Sequence, residues 1–465
     1  MIYKILLVLD YIAIFYFFLV NITYIILNIL AFFSIRKKRL KKKILDIDKP
    51  FSSEFYKPLS IIVPAYNEEK TIVDNLKSIL ELQYPEYEVV VVNDGSNDQT
   101  LQQLFENFNL KAFTTNYKAE IKTEPIKCIY KSTSHPNLIV IDKENGGKAD
   151  SLNAGINMSS FPLVCNIDAD SLIDSEALLK IVEPFVNDWK VVAAGGTIRV
   201  ANKCKVNEGQ VKEVNLSKNF LVRMQVVEYL RAFLFGRVGW ASINSLLIIS
   251  GAFGVFKKKH LIRAGGYNPN TVGEDMELVL RLNRKMKEFR RNHKIVFLPD
   301  PVCWTQVPKT IASLSNQRKR WQRGLGESLF YNIGLFFNYK HGTIGLIAFP
   351  FYFFVEFLGP ILESIGYISL ILTFILGYGN QQIIILFLIS SILLGILLSL
   401  SSLFFEEMSF RKYEKTKEVI ILAITAVLEN FGYKQLNTFW RLIGLYELIV
   451  GNKEWGNQIR SQFSE

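Results

Sequence analysis

The stretch Leu59-Ser-Ile-Ile-Val63 is a short, nearly continuous run of β-branched and apolar residues, and Glu88-Val-Val-Val-Val92 repeats the pattern. Residues 68–80, between the two runs, carry apolar side chains at helical spacing. Continuous apolar runs are typical of parallel strands that are buried on both faces. The order strand, helix, strand therefore decides the fold, because it predicts a parallel sheet covered by helices.

The same alternation continues along the chain. Residues 138–141 and 163–167 predict two more strands, and a helix is predicted to begin near Lys148. Repeated strand–helix units predict an α/β class fold with a doubly wound, mostly parallel sheet, whose ligands bind beyond the carboxyl ends of the strands. We expect this domain to occupy residues 58–310 and to face the cytosol.

Apolar residues are concentrated at the two ends of the chain, which favours lipid over one oversized soluble core. Residues 11–33 suffice to cross a bilayer, since roughly 20 helical residues span the hydrocarbon. A signal peptide is the alternative, but the run is too long and no small-residue cleavage site comes after it. We expect a transmembrane anchor over residues 1–35.

The net charge of +11 is densest over residues 36–43, directly after the anchor. Basic residues at this place obey the positive-inside rule and attract anionic lipid headgroups. We therefore expect a basic juxtamembrane linker over residues 36–57 and membrane lipids as partners. No nucleic-acid partner is expected, since no zinc-finger or RNA-binding signature accompanies the charge. The four histidines form no ligand pattern, so acid–base chemistry falls to carboxylates.

The chain returns to apolar sequence after Trp321. Residues 311–343 are expected to form interfacial helices, and residues 344–465 a membrane region of two to four spans with an interfacial segment. Residues 383–405 are a clean span candidate, whereas residues 419–450 are compatible with a span, a re-entrant loop or an interfacial helix. The number of spans stays open at this point.

Five acidic and polar signatures run in a fixed order through the middle of the chain. They are Val-Val-Asn-Asp-Gly-Ser (91–96), Gly-Gly-Lys-Ala-Asp-Ser (146–151), Asp-Ala-Asp (168–170), Gly-Glu-Asp (273–275) and Gln-Arg-Lys-Arg-Trp (317–321). Each is weak alone, but their order between apolar ends predicts one catalytic unit at a membrane surface. That unit would hold a sugar nucleotide through a metal ion.

Donor-side candidates lie after predicted strands. Asp94 can accept hydrogen bonds from a base or ribose, although, for this motif taken alone, an Asp-Gly turn is the better explanation. Asp168 and Asp170 point to one side of an extended chain, so they can converge on Mg²⁺ or Mn²⁺, while an acidic helix cap is the alternative. Lys148 comes after two glycines and can approach phosphate, although a plain Gly-Gly turn before a helix is the better explanation of this motif taken alone. The first strand ends with three further candidate nucleotide contacts, Pro64, Tyr66 and Glu68.

Acceptor-side candidates come later in the chain. One of Glu274 and Asp275 is a candidate general base for an acceptor hydroxyl, and a complement to the helix dipole is the alternative. In the 317–321 signature, Arg320 can neutralise diphosphate and Trp321 can stack on a sugar ring. An interfacial membrane helix rich in Arg and Trp is the alternative for that cluster, which also includes Gln317.

In this order the residues resemble the family 2 glycosyltransferases, specifically the membrane-embedded, processive β-glycan synthases. That group includes poly-N-acetylglucosamine, hyaluronan, chitin and cellulose synthases. The resemblance covers roughly residues 59–324, and Gln-x-x-Arg-Trp is its most specific element. It implies a GT-A-like fold flanked by transmembrane and interfacial helices. Two departures are Asn93 in place of a commoner Asp, and Gly273 in place of the usual Thr.

The resemblance also implies roles on the donor side. Asp94 would contact the nucleotide base, Asp168 would lie near the nucleotide, and Asp170 would bind the metal. Lys148 would reach the donor. Residues 250–254 resemble the stretch that lines the acceptor site.

On the acceptor side, the resemblance implies that Asp275, beside Glu274, is the base for inverting attack on the anomeric carbon. It implies that Gln317, Arg320 and Trp321 hold the diphosphate and the acceptor sugar. Residues 455–460 faintly resemble a gating segment of hyaluronan synthases.

The function implied is metal-dependent, inverting transfer of a sugar from UDP-GlcNAc or UDP-glucose to a growing β-linked polysaccharide at the cytosolic membrane face, with secretion left open. Transfer of a single sugar to a lipid acceptor, such as polyprenyl phosphate or diacylglycerol, is the alternative enzyme activity. A non-catalytic membrane subunit that binds glycan or a partner is the alternative outside enzymes. The sequence does not indicate partner subunits, linkage or product length.

Overall fold

The computed structural model describes residues 2–44, 56–115, 117–207, 209–288 and 292–451. The strands are β1 (Leu59–Ala65), β2 (Tyr87–Asn93), β3 (Leu110–Ala112), β4 (Ile126–Ser132), β5 (Leu138–Lys143), β6 (Leu163–Ile167), β7 (Ser171–Ile173), β8 (Val191–Val200), β9 (Lys205–Asn207), β10 (Gln210–Glu213), β11 (Phe253–Lys257) and β12 (Lys294–Thr305).

The α-helices alternate with these strands and then continue beyond them. They are α1 (Ile2–Ile44), α2 (Ile72–Leu80), α3 (Thr100–Phe108), α4 (Lys148–Met158), α5 (Ala177–Asn187), α6 (Phe220–Glu228), α7 (Arg237–Ser242), α8 (Lys258–Ala264), α9 (Glu274–Glu288), α10 (Ile311–Tyr331), α11 (Phe349–Phe351), α12 (Gly359–Ile375), α13 (Gln381–Leu388), α14 (Leu394–Ser409), α15 (Thr416–Leu428) and α16 (Tyr433–Val450).

Ten strands form one mixed sheet in the order β3-β4-β5-β2-β1-β6-β11-β8-β12-β7. Its centre, β5-β2-β1-β6, is parallel throughout, and β8 and β12 are also parallel to each other. β11 runs antiparallel to both its neighbours, as do the strands added at the two edges. The predicted α/β sheet is confirmed, and its four predicted strands are the parallel centre.

One predicted helix begins later than expected. The sequence pattern predicts a helix that begins at Glu68, whereas α2 begins at Ile72. Asn67 adopts a left-handed backbone with φ of 56°, and the amides of Thr71 and Ile72 donate to the carbonyl of Glu68. Residues 67–71 therefore form a turn at the end of β1, and this turn brings side chains to the edge of the sheet.

The core lies on both faces of the central strands. Ile61, Ile62 and Val90 are fully buried, and burying each such side chain contributes roughly 2 kcal/mol. A Cβ on Gly155 would lie 2.3 Å from Ile62 Cγ2. That glycine lets α4 lie directly against β1, which places the start of α4 beside the carboxyl ends of the parallel strands.

Two helical segments in the described part of the chain are long and apolar enough to cross a membrane, Ile2–Leu40 and Gln381–Ser409. Two bent pairs would raise the number to four if each pair is one span. They are Ile344–Phe357 with Gly359–Ile375, bent by 46°, and Thr416–Leu428 with Tyr433–Val450, bent by 58°. The first of the two segments contains the predicted anchor, and the second contains the predicted clean span.

The sheet domain is joined to these helices by close packing and buried ion pairs. A Cβ on Gly239 of α7 would lie 2.6 Å from the Leu27 carbonyl oxygen of α1. Arg199 of β8 donates to both carboxylate oxygens of Glu406 on α14, at 2.9 and 3.1 Å. Because both partners are at most 5% exposed, loss of either one would leave an uncompensated buried charge.

Candidate active site

The end of β1 and the residues directly after it carry three of the predicted nucleotide contacts. Pro64 lies in β1 opposite Val92 of β2. The Tyr66 side chain is 46% exposed, whereas Glu68 is buried and its carboxylate accepts from the Thr71 hydroxyl at 2.8 Å. Of the three, Tyr66 is the side chain most open to a ligand.

Asp94 comes after β2 and is held by the loop that precedes α4. Lys143 Nζ lies 2.6 Å from Asp94 Oδ1, and the amides of Gly146 and Gly147 donate to its two carboxylate oxygens at 3.0 and 2.8 Å. The side chain of Asp94 is 4% exposed and that of Lys143 is 0% exposed. Asp94 thus anchors the Gly-Gly loop; its contact with a nucleotide base stays a prediction.

Lys148, Asp168 and Glu274 form a charged cluster beyond the carboxyl ends of the parallel strands. Lys148 is the first residue of α4, and its ammonium pairs with Asp168 and lies 3.9 Å from Glu274 Oε1. Burial lowers the pKa of Lys148, but Asp168 and Glu274 raise it more, so that it lies above its ordinary value. Lys148, which is predicted to reach the sugar-nucleotide donor, therefore lies beside two carboxylates of the predicted site, Asp168 and Glu274.

Asp170 lies beside this cluster. The pKa of Asp170 is raised to about 6, because burial and the charge of Asp168 raise it more than Lys148 lowers it. A buried carboxylate whose ionisation is disfavoured by a neighbouring negative charge is a setting in which a cation is stabilising. Among the described residues, no group of three or more His, Cys, Asp or Glu side chains is arranged to hold a metal ion.

Glu274 and Asp275 begin α9, at the other side of the cluster. Asp275 Oδ2 accepts from the Gly251 amide at 3.1 Å, and its Oδ1 accepts from the Met276 amide at 2.8 Å. This contact brings the predicted acceptor segment, residues 250–254, against the predicted base. The pKa of Glu274 is raised to about 7, because burial and the charge of Asp275 together outweigh the opposing effect of Lys148.

The Gln-x-x-Arg-Trp signature lies on α10. Burial lowers the pKa of Arg320, and the nearby charges of Glu274, Asp168 and Asp275 oppose that shift. Arg320 therefore faces the same carboxylates as Lys148. This brings the second half of the predicted site against the first.

The residues around Arg320 fix the orientation of α10. Arg318 donates to both oxygens of Glu228 at 2.8 Å and stacks over Trp321, with 4.4 Å from its guanidinium carbon to the ring centroid. Phe233 also packs against Trp321, the predicted sugar platform, with 5.6 Å between the two ring centroids. The buried Oε1 of Gln317 has no hydrogen-bond partner within the described residues.

Packing explains why position 273, where the family usually has Thr, is a glycine in this chain. A Cβ on Gly273 would lie 2.6 Å from the Gly324 carbonyl oxygen, and a Cβ on Gly324 would lie 2.8 Å from Gly273 Cα. α10 therefore crosses the start of α9 in backbone contact. Glycine at both positions lets Arg320 approach the carboxylates.

Three functional neighbours were missed by sequence reasoning. Lys143 ends a buried strand, Glu228 is the last residue of α6, and Glu327 is an ordinary glutamate on α10. Of the three, Lys143 alone could have been found from the sequence, because it is a charged residue at the end of an apolar strand pattern. Residues 455–460, the predicted gating segment, lie outside the described residues.

Comparisons with known proteins indicate the family to which the chain belongs. The family model described as "Glycosyl transferase family 2" matches residues 60–241, and "Glycosyl transferase family group 2" matches residues 163–402. A poly-beta-1,6-N-acetyl-D-glucosamine synthase of Staphylococcus aureus (strain COL) is 30% identical over 274 residues, which are 58% of this chain and 55% of that protein. The synthase of the same name from Staphylococcus epidermidis is 30% identical over 272 residues, with the same shares.

The chain therefore spans about half the length of these relatives. Among solved structures, a mannosyltransferase of Pyrobaculum calidifontis, in complex with GDP-Man and Mn²⁺, has a TM-score of 0.53 at 19% identity. The match covers 92% of this chain and 99% of that one. This likeness confirms the GT-A-like fold that the sequence predicted.

Proposed function

The chain belongs to the family 2 glycosyltransferases, and from this premise we propose that it is of the processive β-glycan synthase type and extends a β-linked polysaccharide. The donor would be a nucleotide sugar, UDP-GlcNAc or UDP-glucose. The observation that carries the proposal is the meeting of two groups at one sheet edge. Asp168 and Asp170 lie just after β6, whereas Asp275 and Arg320 come from α9 and α10.

The donor half would bind the diphosphate. Asp168 and Asp170 would hold Mg²⁺ or Mn²⁺, which fits two protein carboxylates because Mg²⁺ takes its remaining ligands from water and substrate phosphates. When bound there, the cation would neutralise charge on the leaving diphosphate. Arg320 and Lys148 supply further positive charge at the same place. Tyr66, exposed at the end of β1, would contact the nucleoside.

The acceptor half would activate a sugar hydroxyl. Asp275 would accept the proton of that hydroxyl as it attacks the anomeric carbon, and the Gly251 amide holds Asp275 in place. Attack from the side opposite the diphosphate inverts the anomeric centre. Trp321 would offer its indole face to the acceptor sugar, and Gln317, with its buried and unpaired Oε1 among the described residues, would accept a hydrogen bond from it.

The membrane helices would hold this site at the cytosolic face. The basic run Arg36-Lys37-Lys38-Arg39 ends the first span candidate and favours a cytosolic location for the sheet domain that comes next in the chain. The growing glycan and membrane lipids would be its partners.

A panel of nucleotide sugars tests the proposal. The purified full chain in lipid nanodiscs is supplied with Mg²⁺ or Mn²⁺, and nucleotide release and product length are measured together. Nucleotide release with a lengthening product that is cut by linkage-specific hydrolases supports the proposal. A single sugar on an added lipid acceptor supports the alternative activity, and no turnover of any donor contradicts both.

A further inference from the structure

Glu327 lies seven residues after Arg320 on α10. Because a helix turns once in about 3.6 residues, both side chains project from the same side of the helix. Gly324 lies between them on that side, where it contacts the backbone of Gly273. One stripe of α10 therefore covers both the charged cluster and the chain segment that leads into α9.

The carboxylate of Glu327 binds that segment directly. Glu327 Oε2 accepts from Thr271 Oγ1 at 2.7 Å and from the Val272 amide at 2.8 Å. Thr271 Oγ1 accepts in turn from the Gly273 amide at 3.1 Å, and the Ser328 hydroxyl donates to the Gly273 carbonyl at 3.2 Å. The three residues before Glu274 are thus tied to α10 by side chains and by close backbone contact.

We propose that Glu327 is a positioning residue that sets the place of Asp275 relative to the acceptor. The inference rests on the proposed function, in which Asp275 receives the acceptor proton. Thr271 is 7% exposed, so a carboxylate is well suited to satisfy its hydroxyl and the Val272 amide together. Without that carboxylate, two donors lose their partner and the turn before Asp275 is released.

Donor binding should be left intact by the same loss. Lys148, Asp168 and Asp170 are held by α4 and by the end of β6, which Glu327 does not contact in the described hydrogen bonds. A displacement of about 1 Å in a reacting group costs roughly 100-fold in rate. A positioning role therefore predicts a lower kcat at an unchanged donor KM and an unchanged stoichiometry of UDP binding. A general loss of stability instead lowers the stoichiometry together with the apparent kcat, because less of the protein is folded.

The test uses Glu327→Leu, which keeps the size of the side chain but removes the acceptor, and Glu327→Gln, which keeps one acceptor oxygen. Glu106→Leu is the matched control, because Glu106 is exposed on α3 and accepts from Gln102. Nucleotide release is measured against donor concentration in the full chain in nanodiscs. Calorimetry measures UDP affinity in the presence of Mn²⁺.

We expect Glu327→Leu to lower kcat roughly 10- to 100-fold, with donor KM and UDP affinity within about twofold of the control. Glu327→Gln should recover most of the rate. Equal kcat for Glu327→Leu and Glu106→Leu overturns the inference, and so does a loss of UDP affinity that parallels the loss of rate. A wild type that turns over no donor overturns the proposed function itself.

If Glu327→Leu does not fold, a cycle of Thr271→Val and Glu327→Ala decides, because Glu327→Ala removes the acceptor without placing an apolar side chain beside the two donors. Thr271→Val removes one of the two donors to the carboxylate while keeping a side chain of similar shape. Rate losses that fail to multiply in the double variant support the shared contact, since neighbouring residues couple in such cycles. Fully independent losses contradict it.

Discussion

Asp94 and Asp168 occupy equivalent places in the fold but have opposite surroundings. Each comes directly after a parallel strand, and β1 alone separates the two strands in the sheet. Asp94 is 4% exposed and accepts from Lys143 and two loop amides, whereas Asp168 is 28% exposed and pairs with Lys148 at the mouth of the site. An aspartate at the end of a strand can therefore hold a neighbouring loop in place or stay open to a ligand, and its hydrogen-bond and ionic partners decide which.

The largest effect is expected in the acceptor half of the site, which contains Asp275 but neither Asp94 nor Asp168. Asp275→Asn should lower kcat about 1,000-fold, since a positioned base contributes roughly 10²- to 10⁴-fold. UDP affinity should stay near that of the wild type, because Asp275 is proposed to act on the acceptor hydroxyl, whereas Asp168 and Asp170 are proposed to hold the metal-bound diphosphate. Nucleotide release and calorimetry check this. An active Asp275→Asn variant would show that Asp275 is not the base.

The next largest effect is on stability, and it should differ between Asp94 and Asp168. Asp94→Asn should lower the free energy of unfolding by about 3 kcal/mol, because it breaks a buried pair and leaves Lys143 with Asp150, at 2.8 Å, as its remaining ionic partner among the described residues. Asp168→Asn should cost less than about 1 kcal/mol, since its pair with Lys148 is partly exposed. Thermal unfolding of both variants without metal is the measurement. Equal losses would abolish the distinction between anchoring and open carboxylates.

The smallest effect concerns pH. Burial raises the pKa of Glu274 to about 7 from an ordinary value of 4.5. The folded state thus binds this proton more tightly than the unfolded state, so its contribution to stability is fully present below about pH 4.5 and is lost as the pH rises through 7. Glu274→Gln should therefore be more stable than the wild type at pH 8, by on the order of 2 kcal/mol, and thermal unfolding measures the difference.

At pH 4.5 the two proteins should unfold at nearly the same temperature. The comparison needs a chelator in the buffer, because a bound cation would change the charge of the cluster. A stabilising effect of Glu274→Gln that is the same at both pH values would show that Glu274 carries no raised pKa.

The parallel centre of the sheet was predictable because its strands are nearly continuous apolar runs. β8 was not, although it is buried along its whole length. It contains Ala193, Ala194, Gly195 and Gly196, and such small residues give no strand pattern. A Cβ on Gly195 would lie 3.0 Å from the Phe297 ring, so its smallness is dictated by packing that the sequence does not display.

The positions of the candidate site residues in the fold were predictable one by one, but the contacts between them were not. The sequence placed Asp94, Asp168 and Asp170 beyond strands, and the structure places them there. It did not predict that Lys143 is fully buried against Asp94, because lysines are usually exposed. Contacts of this kind depend on distant segments meeting, which no local pattern records.

The dependence of UDP affinity on Mn²⁺ separates the anchoring aspartate from the open one. Calorimetry would compare UDP affinity with and without Mn²⁺ in the wild type, Asp94→Asn and Asp168→Asn, at a temperature where all three are folded. We predict that Mn²⁺ strengthens UDP binding in the wild type and in Asp94→Asn, whatever its absolute affinity, and no longer does so in Asp168→Asn. An Asp168→Asn variant that responds to Mn²⁺ as the wild type does would contradict the assignment of Asp168 to the metal.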